Sequence, residues 1–341
     1  MDTSLFDYDL PETAIAQTPI EPRDASRLLR CDPLEDRRFR DLPGLLSPGD
    51  LLVVNTTRVR CARLRGHKVE TGGAVELLLL RRVDPERWEA LIRPARRIRP
   101  GIELDLGQVS GVVASSPVRG RVIVRLSAES GDIEQAIAAV GEVPLPPYIH
   151  RALDDAERYQ TIFAKTVGSA AAPTASLHFT DGLRSRLMHR GVELAEVDLE
   201  VGIDTFRPIE SSDITRHEIH TERWTVPEPT ALAIAAARSR GGRVVAAGTT
   251  VVRTLESAAT GGGLVGAGTG RTDLFIMPGY TLGVVDVVLT NFHAPRTSLV
   301  VMVAAMLGGR WKPLYQHALA HNYRFLSFGD AMLIERPVNH R

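Results

Sequence analysis

Cysteine is nearly absent from this chain. Of 341 residues only Cys31 and Cys61 are cysteines, and their spacing matches no metal site. A chance disulfide stays open, but the reduced thiols of a cytosolic protein are the better reading. Excess charge is absent too: 41 basic and 41 acidic side chains cancel, which argues against a protein coated in nucleic acid. No apolar run is long enough to cross a bilayer, the longest being Leu299–Leu307. No basic segment followed by an apolar one opens the chain, so no export signal is expected. Internal repeats and low-complexity tracts are missing. No G-x-G-x-x-G opens a helix after a strand, which argues against an ordinary methyltransferase. The histidines of His217-Glu-Ile-His220 stand three apart rather than four, which excludes a zinc-protease helix.

What is present is the composition of a globular protein, 44% apolar and 24% charged, long enough for two domains with cores of their own. From Leu51-Leu-Val-Val54 to about residue 127 the chain reads as short strands: Val75–Leu80, Trp88–Ile92 and Val122–Leu126, split by turn signals such as Gly72-Gly73 and Pro100-Gly101. That spacing predicts a small barrel or sandwich. A helix is expected over Ile133–Val140, and Pro144-Leu-Pro-Pro147 then forces extended backbone.

Beyond it the period changes. Helices are expected over 181–191, 229–241, 250–259, 298–307 and 311–322, with strands over 192–199, 243–247, 274–277 and 284–289. Such alternation predicts an α/β domain. The first fifty residues hold too few elements to stand alone and are assigned to it. The expected division is therefore a discontinuous α/β domain, 1–57 and 152–341, with residues 58–151 inserted. The insert carries 16 basic against 11 acidic residues and the remainder 25 against 30, so a local phosphate-binding face is permitted. Gly261–Gly270 follows a helical stretch and lacks a phosphate-loop order, so it reads as a plain flexible loop.

Five polar stretches stand out. Gly168-Ser-Ala-Ala-Ala-Pro-Thr-Ala-Ser-Leu-His-Phe179 has neither helical nor strand period, which makes it a binding loop with Pro173, Thr174, Ser176 and His178, or else a tight structural turn. In His217–Trp224, His220 and Glu222 share a face if extended, suiting a general base and an orienting carboxylate, or simply a polar strand edge. Thr249, Thr250 and Arg253 open a helix after a strand, where an anion can bind or a threonine can cap. Asn291, His293 and Arg296 stand at a strand-to-helix junction, a frequent ligand crevice in α/β folds. Arg324 and Asp330 lie among Tyr323, Phe325 and Phe328 and need partners there. Outside these, the run Arg93, Arg96, Arg97, Arg99 is either a solvated loop or a phosphate contact.

All five stretches, in this order, resemble the S-adenosylmethionine:tRNA ribosyltransferase-isomerases of queuosine biosynthesis, whose loop reads G-x-x-A-A-P-T-A-G-L-H-F. So do Arg23–Leu29, Val54-Asn-Thr-Thr-Arg-Val59 and Val143-Pro-Leu-Pro-Pro-Tyr-Ile149, and the resemblance runs from about residue 5 to 336. It implies an α/β main domain with an inserted small antiparallel β-barrel domain. It implies S-adenosylmethionine as a ribosyl-donor substrate, no metal and no true cofactor. The implied acceptor is 7-aminomethyl-7-deazaguanine at the tRNA wobble position, and the products are epoxyqueuosine, adenine and methionine. A cytoplasmic monomer without membrane contact is expected. In that frame His220 is the base oriented by Glu222, and His178 or His293 carries protons to adenine. Thr249, Thr250 and Arg253 hold the methionyl carboxylate, Asp330 the ribose or methionyl ammonium, and the arginine run meets RNA.

One departure matters. The family reads H-V-G-A-G-T-F where this chain has Glu200-Val-Gly-Ile-Asp-Thr-Phe206, so Glu200, Ile203 and Asp204 replace a histidine and two small residues. Ser176 stands where glycine is usual. A divergent member acting on another deazapurine, and a non-catalytic RNA-binding protein of this fold, are the alternatives.

Overall fold

Leu51-Leu-Val-Val54 is apolar without alternation because both its faces are covered. Leu51 and Val53 join one core with Val244, Ala246, Val288 and residues of four later helices, whereas Leu52 and Val54 join another with Val245, Ala247 and Leu289. The fold is therefore a sheet with a packed layer on each side. In this computed structural model the described residues are 1–202, 205, 207–219 and 221–336.

In chain order the strands are β1 (Arg27–Cys31), β2 (Leu34–Arg38), β3 (Leu51–Asn55), β4 (Thr57–Val59), β5 (Arg63–Lys68), β6 (Ala74–Arg82), β7 (Arg87–Arg93), β8 (Glu103–Asp105), β9 (Ser110–Val113) and β10 (Arg121–Ser127). Then follow β11 (Thr166–Ser169), β12 (Glu193–Leu199), β13 (Glu222–Val226), β14 (Val244–Ala247), β15 (Ala259–Gly261), β16 (Leu264–Val265), β17 (Gly268–Thr272), β18 (Val287–Asn291) and β19 (Ala331–Glu335). The helices are α1 (Ile133–Val140), α2 (Asp181–His189), α3 (Glu228–Ser239), α4 (Thr249–Ser257), α5 (Ser298–Leu307) and α6 (Trp311–Ala320).

One compact unit comprises Met1–Arg58, Pro146–Thr166 and the chain from Ala172 onward; the other comprises Val59–Leu145 and Val167–Ala171. The first is built on a nine-stranded sheet ordered β17-β13-β12-β3-β14-β18-β19-β1-β2. Its centre, β12-β3-β14-β18, is parallel, so these strands deliver their carboxyl ends to one edge. The second unit is a closed antiparallel barrel, β10-β7-β6-β5-β8-β9, with Trp88, Ala90 and Ile92 inside on alternate positions of β7. The fold class is thus an α/β unit and a small antiparallel β-barrel.

Several expectations shift. The first fifty residues add two strands to the main sheet, β1 and β2, neither of which is expected from the sequence. Residues 274–277 form no strand, and the strand expected at 284–289 runs Val287–Asn291. Gly261–Gly270 is not a loop throughout: β15 and β16 form a hairpin whose turn uses positive φ at Gly261, Gly262 and Gly263. β17 then pairs with β13, where Gly270 lies against the Trp224 ring so closely that a β-carbon would come within 2.5 Å of it. No helix among the described residues is long and apolar enough to cross a membrane.

Candidate active site

The site begins with α4. Gly248, at φ 103°, turns the chain out of β14 and serves as N-cap without a side-chain bond, so neither Thr249 nor Thr250 caps the helix. Thr249 through Glu256 are all buried, which commits Thr249, Thr250, Arg253 and Glu256 to find polar partners. Glu256 accepts from the amides of Gly283, Val284 and Val285 and is structural. Arg253 pairs with Glu222, and its Nε and Nη2 donate to the carbonyls of Leu274 (3.2 Å) and Thr272 (3.4 Å). Glu222 in turn accepts from Gly202 N and Thr205 Oγ1, both at 3.1 Å. Glu222 is thus a tie between Arg253 and the segment after β12. His220, Ile203 and Asp204 lie outside the described residues.

Glu222, Arg253, Thr249 and Thr250 line a cleft with about 510 Å³ of open space, together with His217, Phe275 and Leu299. A second cleft of about 300 Å³ shares Leu299 and is lined by Tyr148, Thr174, Asn291, His293 and Ser327. Here the loop after Ala172 folds as a 3-10 turn, Thr174–His178, rather than an open coil. The Thr174 hydroxyl donates to Asn291 Oδ1 (3.0 Å). That fixes the amide, so Asn291 Nδ2 donates to His178 Nε2 (3.2 Å), and His178 Nδ1–H donates to Ser26 Oγ (2.8 Å). Phe39 stacks on the ring at 4.8 Å. Burial, then the nearby Arg324 and Arg23, lower the His178 pKa to about 3. His293 meets Thr290 Oγ1 at 2.8 Å, and burial lowers its pKa to about 3 as well. Both imidazoles are held neutral by burial.

A stability prediction arises here. The unfolded chain binds protons at these rings below about 6.5 while the folded one does not, so stability falls as pH drops from 6.5 toward 3. Melting temperatures recorded over that range decline, and His293→Gln makes the decline shallower. An unchanged slope in the variant removes His293 from the account.

The partners demanded for Arg324 and Asp330 prove to be each other, at 3.6 Å, and the backbone. Asp330 Oδ1 accepts from Arg27 N and Oδ2 from Arg324 N, both at 2.8 Å, so its carboxylate braces the β1–β19 edge. Ser176 is fully buried, its hydroxyl 3.5 Å from the Ala247 carbonyl. Pro173 precedes the turn as its N-cap. Arg296 has a positive φ of 56° and is exposed, outside both clefts. Among the described residues no group of three or more His, Cys, Asp or Glu stands as a metal site.

The pattern of the queuosine biosynthesis protein family matches residues 3–334. A relative from Symbiobacterium thermophilum, named S-adenosylmethionine:tRNA ribosyltransferase-isomerase, is 50% identical across 98% of this chain and 100% of its own. The chain belongs to the queuosine biosynthesis protein family. A second relative of the same name, from Heliobacterium modesticaldum, is also 50% identical over 98% of this chain and all of its own. A solved structure, the S-adenosylmethionine tRNA ribosyltransferase of Thermotoga maritima, is 36% identical, covering 96% of this chain and 99% of that one with a TM-score of 0.55. Family membership makes the chain an enzyme.

Against that family frame, four residues in or beside the clefts have no role in the sequence reading. Asn55, at the end of β3, brackets Leu199 with both amide atoms and reaches Thr250 Oγ1 at 3.4 Å. Ser26 orients His178, and Tyr148 meets Ser327 at 2.7 Å on the wall of the second cleft. The fourth is His217, edge-on to Phe275 at 5.7 Å. Asn55 and Ser26 both sat inside segments that carried the family resemblance, which was the available signal. At the departure, Glu200 lies 4.0 Å from Arg223. Two residues earlier, burial and then Glu200 raise the Asp198 pKa to about 6, and its buried Oδ2 has no hydrogen-bond partner among the described residues. The alternation Glu196, Asp198, Glu200 on one strand face was the signal for it. In the barrel unit, Arg93, Arg96, Arg97 and Arg99 are all exposed, between β7 and β8.

Proposed function

We propose that this chain transfers and isomerises the ribosyl moiety of S-adenosylmethionine onto 7-aminomethyl-7-deazaguanine at the tRNA wobble position. Epoxyqueuosine is formed, and adenine and methionine leave. The observation that carries the reading is the pair of adjoining clefts at the carboxyl ends of parallel strands, in a chain whose full length is matched by ribosyltransferase-isomerases. Arginine presents five N–H groups, and three of them on Arg253 are engaged within the protein. The remainder, with Thr249 and Thr250 at the helix start, serves the methionyl carboxylate.

The sulfonium acidifies the C5′ hydrogens of the donor. A base takes one of these protons, adenine departs with the glycosidic electron pair and takes up a proton, and the neutral exocyclic amine bonds to the ribosyl carbon and loses a proton. Methionine leaves later as a neutral thioether. His220 is the base in this reading, the neutral ring of His293 positions the purine or the acceptor, and His178 holds Asn291 in the cleft wall. Asp330 acts through the backbone it braces. The Glu200 departure leaves the acceptor unchanged, since Arg223 stands within 4.0 Å of it. Arg93, Arg96, Arg97 and Arg99 meet RNA phosphates. The enzyme acts in the cytoplasm as a monomer, with no metal or redox cofactor.

The test incubates the protein with S-adenosylmethionine and tRNA bearing the aminomethyl-deazaguanine, following free adenine and the mass of the modified nucleoside. Adenine appears in step with the epoxyqueuosine mass. No adenine with this tRNA, or a labelled methyl group passed to RNA, overturns the reading.

A further inference from the structure

Helix α2 turns Leu183 and Leu187 into the core, and the basic residues beside that stripe are left exposed. Arg186, His189 and the C-cap Arg190 follow at i, i+3 and i+4 and flank the buried leucines on one side of the helix. Across from them runs the 3-10 turn Phe39–Gly44, which brings Arg40, with Arg37 at the end of β2. Between the two lies an open groove of about 1350 Å³ lined by these residues and by Asp41.

The charges in the groove are poorly compensated. Asp41, its one acidic lining residue, uses Oδ2 to accept from Arg38 N at 2.9 Å. Arg37 is paired with Glu35 at 2.9 Å, and Arg186 reaches Asp24 only at 3.6 Å. Arg40 and Arg190 are exposed and have no carboxylate partner among the described residues. Concentrating guanidinium groups this way is unfavourable through self-repulsion, and a polyanion relieves it. The chosen cation is arginine throughout, whose planar fork matches phosphate oxygens in pairs.

The groove is also tied to the clefts. Phe39 opens the turn, is fully buried and stacks on His178, and Arg40 follows it directly. We propose that the groove between α2 and the turn Phe39–Gly44 is a docking surface for the sugar–phosphate backbone of the RNA substrate, separate from the arginine run 93–99. This rests on the proposed function, which supplies the RNA.

The test measures binding of an unmodified tRNA transcript by fluorescence anisotropy across a KCl series, with wild type and an Arg40→Ala/Arg190→Ala double variant. The double variant binds about tenfold more weakly, and its log–log salt slope is smaller by about two, one per lost phosphate contact. An Arg40→Lys/Arg190→Lys variant keeps the wild-type slope because the charges remain. Affinity for S-adenosylmethionine and melting temperature are the same in all three, which reports an intact fold. Wild-type affinity and slope in the alanine variant overturn the docking surface while leaving the function standing. Failure of the function shows separately, as no adenine from wild type with the modified tRNA.

Discussion

An Arg253→Met variant unfolds at a lower urea concentration, losing about 3–5 kcal/mol, and releases no adenine. Arg253 and Glu222 form a buried pair with side chains only 8% and 4% exposed. Removing the guanidinium leaves a carboxylate out of water with, among the described residues, only Gly202 N and Thr205 Oγ1 to hold it. Breaking such a pair costs far more than the pair contributes net, since the penalty is the stranded charge. A second substitution separates structure from function. Arg253→Met/Glu222→Leu has no stranded charge and regains most of the lost stability. It stays inactive, because the threonines of α4 alone do not replace the cation for the methionyl carboxylate. A double variant that releases adenine normally takes Arg253 out of donor binding. A single variant as stable as wild type shows that the pair is not the tie between α4 and the segment after β12.

That pair also shows what kind of information the sequence carried. Arg253 and Glu222 were each singled out from local spacing, and each was given a ligand or a histidine as partner. They lie 31 residues apart, on a helix and on a strand, and only the β12-β13-β17 side of the sheet brings them together. Local period sees neither distance nor competition for a donor. The same holds for Asp330, whose oxygens are taken by backbone amides from two separate segments. By contrast, the fold class followed from the periods. Short alternating strands between 63 and 127 close into a barrel because their inward positions are apolar, and helix–strand alternation after 180 gives the parallel centre of the main sheet. The unseen strands have a physical reason. β2 is an edge strand reading Leu-Glu-Asp-Arg-Arg, mostly exposed, so it has no apolar alternation to read. The glycine-rich segment pairs in β17 through backbone alone, with Gly270 selected by the bulk of Trp224 rather than by any strand propensity.

His220→Ala lowers the rate of adenine release by about 10²–10⁴-fold, the usual worth of a positioned general base, while the affinity for S-adenosylmethionine changes little. His178 has both ring nitrogens committed, to Ser26 and Asn291, and burial holds it neutral with a pKa of about 3. Such a ring is a weak base and an immobile one. His293 is likewise neutral, with Nε2 on Thr290. His217 lines the Arg253 cleft against Phe275, three residues before His220, and is the control. His217→Ala weakens donor affinity through lost packing and leaves the rate at saturating donor within a few-fold. Single-turnover adenine release at saturating S-adenosylmethionine reads the two variants side by side. If His217→Ala is the variant that stops release and His220→Ala proceeds, the base is His217. In that outcome the cleft already contains the base, facing the same segment that Glu222 ties to Arg253.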